Sequence, residues 1–357
     1  MRILIDIGHP AHVHYFRNFI KIMEEKGHQF FIIAKNRNIT YELLNYYKIP
    51  FIKRKDYPSS LIGKLVNIPL TDLYVIKQTR RFKPDILLGF SGTHIAHAGS
   101  VLRIPSIVID DTDHATLAHL SYKSFASCIL TPYSFLKDFG EKQIRFKGFT
   151  DLFYLHPQLF KPDTSVRKML GVSSEESFAV LRFISWNASH DVGQNGITEE
   201  CKIKLVEYLK EKKYKVFISS EGNISKELLQ YQIKIPSEHI HSVLSEADLY
   251  IGESGTMATE AAVLGTPSFL LNGLDAGVFQ ELVKSGLLYH YKNTFGIIDN
   301  IDSVIKQSYL KEIHTAKRND LLKENINVTS FLVWFIENYP DSVQIMKANP
   351  DCQNRFK

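Results

Sequence analysis

The chain has 357 residues, of which 44% are hydrophobic and 23% charged, and this composition predicts a soluble globular protein with two domains of roughly 150 residues each. No apolar run approaches the ~20 residues that span a bilayer, and the widely spaced Cys128, Cys201 and Cys352 form neither a disulfide framework nor a metal site, which favours a reducing cytoplasm. The formal net charge of +5 suits an anionic substrate or membrane surface, but the interspersed acidic residues give no support for nucleic-acid binding.

The first half of the chain alternates short apolar segments with amphipathic helical patterns. Strands are predicted at Ile3–Ile7, Phe30–Ala34, Pro50–Lys53, Asp85–Phe90, Ser106–Ile109 and Cys128–Thr131, and helices at His14–Lys26, Asn38–Tyr47, Thr71–Phe82, Ile95–Leu102 and Ala115–Phe125. Such alternation predicts βα units around a parallel sheet.

The pattern is lost between Gly148 and Asp163, where prolines interrupt the chain, and then restarts. The second half has predicted strands at Phe178–Phe183, Lys215–Ser219, Leu249–Gly252 and Ser268–Leu271, and predicted helices at Thr198–Lys212, Ser225–Gln230, Ser237–Ser245 and Met257–Leu264. The fold class is therefore predicted as α/β, with two Rossmann-like, doubly wound domains over residues 1–160 and 161–335 that face a cleft. Ligands of such sheets bind beyond the carboxyl ends of the strands, so the turns there are the candidate sites.

Three histidines, His9, His12 and His14, follow the first predicted strand and lead into a helix. Imidazoles in that position can supply a general base or bind an anion, and His9 and His12 are expected to face the cleft. The competing function is a metal site. No metal is predicted, because no cysteine is near and the closest carboxylate, Asp6, lies within the strand.

Two further segments of the first half are open to two interpretations each. Ser59–Leu70 combines apolar residues with neighbouring basic ones; core packing is the favoured interpretation, and a flap that dips into a lipid interface is the alternative. Gly92, Thr93 and His94 follow another predicted strand and either bind an acceptor or simply start a helix.

Three carboxylates, Asp110, Asp111 and Asp113, come directly after the strand Ser106–Ile109. Packed carboxylates repel one another, so one of them is expected to carry a raised pKa, which suits proton abstraction. The alternatives are a solvated, helix-capping loop and an Asp-x-Asp metal motif, whose expected surroundings are absent here.

A candidate ligand-binding loop opens the second half. Arg182 ends the first strand there and can neutralise a diphosphate, and Trp186 in the following loop offers a stacking face. His190 and Asp191 can order this loop or touch a sugar. The alternative is a surface loop with one structural tryptophan.

The most informative segment follows the strand Leu249–Gly252, where a tight turn of Ser254, Gly255 and Thr256 opens a short helix. Backbone N–H groups at a helix N-terminus favour an anion, the two hydroxyls add donors, and the glycine permits close approach. Glu260 lies about one helical turn after Thr256, where a carboxylate suits the two hydroxyls of a ribose. The alternative is an ordinary βα connection with an N-cap. The implied ligand is a nucleoside diphosphate with its sugar.

Four motifs together, spread over nearly the whole chain, resemble the family catalogued as domain of unknown function 354. They are Asp6–His14, Asp110–Ala115, Phe153–Pro157 and Trp186–Asp191. That family is similar to the GT-B superfamily, which includes UDP-N-acetylglucosamine 2-epimerases and the N-acetylglucosaminyltransferase that forms lipid II. The resemblance implies an acceptor-side first domain, a nucleotide-sugar-side second domain, and a helical tail over residues 336–357 that crosses back to the first.

In GT-B relatives a Ser-Gly turn holds the diphosphate and a following Glu binds ribose. The resemblance therefore assigns these roles to Ser254, Gly255, Thr256 and Glu260. Thr150 and Asp151 stand where a His-Glu pair is expected in the family, so no catalytic role is assigned to either.

The predicted function is a metal-independent glycosyltransferase that moves a sugar from a nucleotide-diphosphate donor, by preference a UDP-sugar, to a cell-envelope glycan or a lipid-linked acceptor. The candidate bases are His9, His12, Asp110 and Asp111, and the candidate donor-binding residues are Arg182, Trp186, Ser254, Gly255, Thr256 and Glu260. Two alternatives stay open: a non-hydrolysing UDP-sugar 2-epimerase, and a nucleotide-sugar-binding protein without turnover. The predicted location is the cytoplasm, with peripheral contact at the inner membrane as an option, and no nucleic acid is predicted as a partner. The sequence leaves the oligomeric state, the donor sugar and the stereochemistry open.

Overall fold

The structure, a computed structural model, describes residues 1–54, 61–184, 196–220, 222 and 224–357, with only the backbone described at 61–66. By its internal contacts the chain divides into two compact units, the first formed by Met1–Leu159 with Asn325–Lys357 and the second by Phe160–Glu324. Among the helices described, none is both long enough and apolar enough to cross a membrane.

The first unit is built on a seven-stranded parallel sheet. Its strands are β1 (Arg2–Ile7), β2 (Gln29–Ala34), β3 (Phe51–Lys53), β4 (Ile86–Phe90), β5 (Ser106–Ile109), β6 (Cys128–Pro132) and β7 (Gln143–Phe146). They are arranged in the order β3-β2-β1-β4-β5-β6-β7, which is the Rossmann order with one strand added. The strand order reverses between β1 and β4, and ligands of such sheets bind at that reversal.

The second unit is built on a five-stranded parallel sheet. Its strands are β8 (Phe178–Phe183), β9 (Lys215–Ser220), β10 (Leu249–Gly252), β11 (Ser268–Leu271) and β12 (Leu288–Tyr291). Their order, β12-β11-β10-β8-β9, is the other common doubly wound order, and it reverses between β8 and β10. The predicted fold class, two doubly wound α/β units with parallel sheets, is confirmed.

The helices lie between the strands and after the last one. They are α1 (Pro10–Glu25), α2 (Asn38–Tyr46), α3 (Leu61–Phe82), α4 (Thr93–Leu102), α5 (Thr116–Tyr122), α6 (Leu152–Leu155), α7 (Val166–Met169), α8 (Glu199–Glu211), α9 (Ile240–Glu246), α10 (Gly255–Leu264), α11 (Gly277–Lys284), α12 (Ile297–Ile305), α13 (Leu310–Glu324), α14 (Val328–Glu337) and α15 (Asp341–Ala348). Short 3-10 turns lie at Gly140–Lys142, Leu229–Tyr231, Ser237–His239 and Pro350–Phe356.

Two predicted helices differ most from those observed. The helix predicted at Thr71–Phe82 starts instead at Leu61 and continues through Pro69, although a proline inside a helix removes one backbone hydrogen bond. The helix predicted at Ser225–Gln230 is a 3-10 turn at Leu229–Tyr231.

The core of the first unit explains why most residues of its central strands are apolar. Leu4, Leu87, Val108 and Ile129, from four neighbouring strands, are all buried under helices on one face of the sheet. Both faces of a parallel sheet are covered in this class of fold, so the strands need apolar residues on both faces. Fully burying one such side chain contributes about 1.5–3 kcal/mol.

The chain returns to the first unit before α14. Asn327 caps this helix, since its Oδ1 accepts a hydrogen bond from the N–H of Ser330 at 3.0 Å, and its Nδ2 donates to Gln158 at 2.8 Å. The Thr329 hydroxyl donates to the Phe153 carbonyl at 2.7 Å. Phe331 and Phe335 of α14 are buried, so the return segment is part of the core of this unit.

Candidate functional site

The turn after β10 forms the helix N-terminus that the sequence predicts. Ser254 is the N-cap of α10, and its Oγ accepts a long hydrogen bond of 3.4 Å from the N–H of Met257. Among the described residues, nothing accepts from the N–H groups of Gly255 and Thr256. Ser254 and Gly255 are half-buried and Thr256 is exposed, so this first turn presents backbone donors and a hydroxyl at the surface of the second unit.

Packing, rather than an unusual backbone angle, requires the two glycines of this segment. A Cβ at Gly252 would lie 2.7 Å from both the Arg182 carbonyl oxygen and the Tyr250 hydroxyl. A Cβ at Gly255 would lie 2.6 Å from Cζ of Phe279 on α11. Both distances are far inside van der Waals contact, so any larger residue displaces the turn or its neighbours.

Glu260 of α10 is mostly buried in the second unit. It is 5% exposed, and its Oε1 lies 3.1 Å from Nε2 of His241 on α9, which is itself buried. His241 therefore fixes the position of the Glu260 carboxylate. His241 was not identified from the sequence, because it is 19 residues away in the chain and carries no motif.

Glu253 is a second buried carboxylate that sequence reasoning missed. It is 1% exposed and accepts hydrogen bonds from the backbone N–H groups of Ile184 at 3.1 Å and Ile197 at 2.6 Å. Ile184 and Ile197 lie on either side of the predicted loop that contains Trp186, His190 and Asp191. These three residues lie outside the described ranges. The sequence could have indicated Glu253, because it is an acidic residue directly after a buried strand.

Arg182 lies in β8, in register with Gly252 of β10, so both residues are at the reversal of strand order in the second sheet. Its guanidinium donates to the Ser219 hydroxyl of β9 at 2.7 Å. Arg182 and the predicted anion-binding turn after Gly252 are thus carried by adjacent strands.

The polar row continues across the other strands of this sheet. Asn272, just after β11, donates from Nδ2 to the Glu253 carbonyl at 2.9 Å, and Nε2 of His290 in β12 donates to the Asn272 carbonyl at 2.9 Å. Burial lowers the pKa of His290, so at neutral pH its ring is uncharged. The carboxyl edge of the second sheet therefore carries polar groups that are hydrogen-bonded to one another, together with the guanidinium of Arg182.

The three histidines after β1 have three different surroundings in the first unit. His9 is exposed and caps α1, accepting at Nδ1 from the N–H of Ala11 at 3.2 Å. His14 is buried and stacks on Tyr154, with ring centres 5.4 Å apart.

His12 accepts at Nδ1 from the N–H of Gly8 at 3.2 Å. Because a backbone N–H can only donate, Nδ1 carries no proton, and the neutral ring carries its proton on Nε2. Burial and the nearby His9, Arg37 and Arg54 hold the pKa of His12 well below its usual range. His12 is thus a neutral ring that can donate a hydrogen bond from Nε2.

The acidic residues after β5 also have distinct roles. Asp110 is fully buried and accepts from the Ser91 hydroxyl at 2.9 Å, the Tyr122 hydroxyl at 2.6 Å and the N–H of Thr112 at 2.8 Å. Asp110 therefore connects residues of three different segments by hydrogen bonds and organises the loop after β5.

Asp111 has the raised pKa that the sequence analysis expected for one of these carboxyls. Burial, together with the charges of Asp110 and Asp113, raises the pKa of Asp111 to about 6, although hydrogen bonds from the Thr150 and Thr112 hydroxyls oppose the shift. A carboxyl with this pKa is mostly ionised at neutral pH and can still take up a proton. Thr150, to which no role was assigned, therefore orients the Asp111 carboxyl through its hydroxyl.

His94 belongs to a chain of hydrogen bonds that the sequence did not reveal. The two oxygens of Asp72 on α3 lie 2.7 Å from Nδ1 of His94 and 2.8 Å from Nδ1 of His97. Nε2 of His97 lies 2.7 Å from the carbonyl oxygen of Ser121, which can only accept. Both nitrogens of His97 therefore carry protons, and the hydrogen bond to Asp72 raises the pKa of His97.

The segment Ser59–Leu70 falls partly outside the described residues. Ile68 and Leu70 of α3 are exposed, so the favoured interpretation, core packing, is wrong for these two. The side chains described include no group of three or more His, Cys, Asp or Glu residues placed to hold a metal ion.

Comparisons with known proteins match this architecture. The model of a family described as "Protein of unknown function (DUF354)" matches residues 1–329. An uncharacterised protein of Methanocaldococcus jannaschii, MJ0665, is 24% identical over 311 residues, which cover 84% of this chain and 90% of that protein.

Two solved structures show the same fold. The UDP-N-acetylglucosamine 2-epimerase of Neisseria meningitidis, bound to UDP-N-acetylglucosamine, superposes with a TM-score of 0.70 at 16% identity and covers 94% of this chain and 100% of its own. The spinosyn rhamnosyltransferase SpnG, complexed with spinosyn aglycone, gives 0.64 at 13% identity and covers 95% and 100%. At such identities the likeness concerns the fold alone.

Proposed function

The chain belongs to the family described as "Protein of unknown function (DUF354)", and from this premise we propose that it is a metal-independent glycosyltransferase. The donor is a nucleotide-diphosphate sugar, by preference a UDP-sugar, and the acceptor is a cell-envelope glycan or its lipid-linked precursor. The donor binds to the second unit, and the first unit binds the acceptor. The shared fold of nucleotide-sugar epimerases and glycosyltransferases supports the nucleotide-sugar part of this proposal.

One observation carries the proposal: the first turn of α10 has backbone donors with no protein acceptor among the described residues, and it lies where the strand order of its sheet reverses. A diphosphate there accepts from the N–H groups of Gly255 and Thr256, and the helix dipole favours its negative charge. Arg182, one strand away, adds a cation. Glu260, held by His241, receives the ribose hydroxyls.

The chemical step assigned to these residues is an inverting transfer. Asp111 takes the proton of the acceptor hydroxyl as its oxygen forms a bond to the anomeric carbon of the sugar. The bond between that carbon and the diphosphate oxygen breaks, and its electron pair leaves with the diphosphate. The α10 N-terminus and Arg182 stabilise the charge that develops there.

The epimerase alternative stays open, since one of the two solved structures with this fold is an epimerase bound to UDP-N-acetylglucosamine. Such a reaction removes and returns a proton on the sugar, and a carboxyl with the pKa of Asp111 suits that task as well. Incubation with UDP-N-acetylglucosamine alone separates the two activities. An epimerase converts the sugar without an acceptor, and a transferase does not.

The test of the proposal is a binding screen by thermal shift against UDP-, GDP-, CMP- and dTDP-sugars. A donor at 100 times its dissociation constant stabilises the protein by about 2.7 kcal/mol. Glu260→Gln is expected to weaken that donor at least several-fold, because one acceptor for the ribose hydroxyls is lost. Glu211→Gln, an exposed carboxylate of α8 in the same unit, is the matched control and is expected to change nothing.

The results have distinct meanings. Absence of binding to every nucleotide sugar contradicts the proposal. Binding without release of nucleoside diphosphate across a panel of acceptors favours the non-catalytic alternative.

A further inference from the structure

Three neighbouring strands of the first sheet end at the same level. Ile7 of β1 is in register with Ala34 of β2, which is in register with Lys53 of β3. The ladder continues one step further, because the N–H of Lys35 donates to Ile7 at 2.8 Å and the N–H of Arg54 donates to Ala34 at 2.7 Å. The residues that follow these strands therefore share one side of the strand reversal between β1 and β4.

Arg54 is the fixed element of this edge. Its side chain is 10% exposed, and one terminal nitrogen donates to both oxygens of Asp6, at 2.8 and 2.7 Å. The other terminal nitrogen and Nε make no hydrogen bond to any described residue. A guanidinium that a carboxylate fixes through one terminal nitrogen has further N–H donors in a planar fork, which suit a ligand with acceptor oxygens.

His12 and Arg37 complete the donor set. His12 carries its proton on Nε2, as argued above, and that nitrogen has no acceptor among the described residues. Arg37 is exposed and immediately precedes α2, whose first turn adds the positive end of a helix of nine residues. Both Arg37 and Arg54 are close enough to lower the pKa of His12.

The sign of the charge decides what this edge attracts. Asp6 offsets the formal charge of Arg54, whereas the exposed Arg37 adds a positive charge. The acidic residues Asp110 and Asp111 follow β5, on the other side of the strand reversal. The carboxyl edge is thus polarised, with donors and cations beside a carboxyl that can accept a proton.

We propose that the edge formed by His12, Arg37 and Arg54 binds a phosphoryl group. A phosphate or diphosphate offers several oxygens and more than one negative charge, which suits donors that converge from three strand ends better than a single carboxylate does. In its second part the inference rests on the proposed function: the acceptor itself carries the phosphoryl group, and its hydroxyl is presented to Asp111.

The test uses the full chain and inorganic pyrophosphate as the probe, with UDP present in excess to occupy the second unit. Calorimetry is expected to show saturable binding that Arg37→Ala weakens roughly tenfold or more, because one charge-assisted contact is lost. Arg80→Ala, which removes an exposed arginine from the last turn of α3, is the matched control and is expected to leave binding within about twofold. NMR titration is expected to show that pyrophosphate raises the pKa of His12, a response that a structural histidine far from the ligand does not give.

Saturable binding that Arg37→Ala and Arg80→Ala affect equally, or a His12 pKa that pyrophosphate does not move, overturns the phosphoryl site. The result is separable from the proposed function, since UDP binding is measured independently in the same titrations. Farnesyl diphosphate and N-acetylglucosamine 1-phosphate, used as competitors, distinguish a lipid-borne from a soluble phosphoryl group. If neither competes with pyrophosphate, the assignment of the group to the acceptor fails.

Discussion

Replacement of Glu253 by glutamine tests whether this buried carboxylate holds the backbone of Ile184 and Ile197 in place. The carboxylate accepts from Ile184 and Ile197 through its two oxygens, at 3.1 and 2.6 Å. An amide of the same size has one oxygen, so one of the two backbone N–H groups faces an NH₂ group and loses its acceptor. An unsatisfied buried donor costs about 1–3 kcal/mol, and the remaining bond loses its charge assistance, about 1 kcal/mol more.

The expected total loss is therefore about 2–4 kcal/mol, which lowers the Tm of a unit of this size by about 4–16 °C. Calorimetry gives the Tm, and amide hydrogen exchange is expected to speed up at Ile184 and Ile197 before it does elsewhere in the sheet. Glu211→Gln in the same unit is expected to stay within about 0.5 kcal/mol of the wild type. If Glu253→Gln matches that control in both Tm and exchange, the structural role derived for Glu253 is wrong.

Three further predictions follow from other residues. Activity is expected to rise with pH through about 6 as Asp111 ionises, and Asp111→Asn is expected to remove both that pH dependence and most of the rate. Because the pKa of Asp111 is raised in the folded state, the stability that this group contributes is present below about pH 4 and is lost as the pH rises through 6. Unfolding measured as a function of pH tests this. Asp72→Asn is expected to lower the pKa of His97, measured by NMR. An unchanged pKa contradicts the hydrogen bond between Asp72 of α3 and a charged His97 of α4. Gly255→Ala is expected to cost about 1–3 kcal/mol through its clash with Phe279, and Phe279→Leu is expected to recover part of that loss, so additive effects in chemical denaturation refute the packing argument.

Local signals were sufficient for the elements that bound the candidate donor site. A strand ending in Gly252, a Ser-Gly-Thr turn and a helix ending at Gly265 are each specified by neighbouring residues, and the structure shows them as predicted. Gly265 adopts φ +87°, a conformation that glycine allows at little cost, and so ends α10 where the sequence indicated. The strands β7 and β12 were missed because each lies at the edge of its sheet, is only partly buried and contains polar residues, so neither is a continuous apolar run.

Interactions between residues far apart in the chain could not be predicted. Asp72 and His94 are 22 positions apart, and the helix that carries Asp72 was expected to begin only after Pro69. The difference between Asp110 and Asp111 depends on the hydroxyls of Ser91, Tyr122 and Thr150, which other elements position. Sequence pattern located the acidic cluster, and tertiary structure decided which carboxyl keeps a raised pKa.

Backbone NMR during a UDP titration tests whether the first turn of α10 binds a diphosphate. If it does, the N–H signals of Gly255 and Thr256 shift in parallel with saturation, and inorganic pyrophosphate competes for them. UDP binding that saturates while both signals stay in place shows that the diphosphate binds elsewhere.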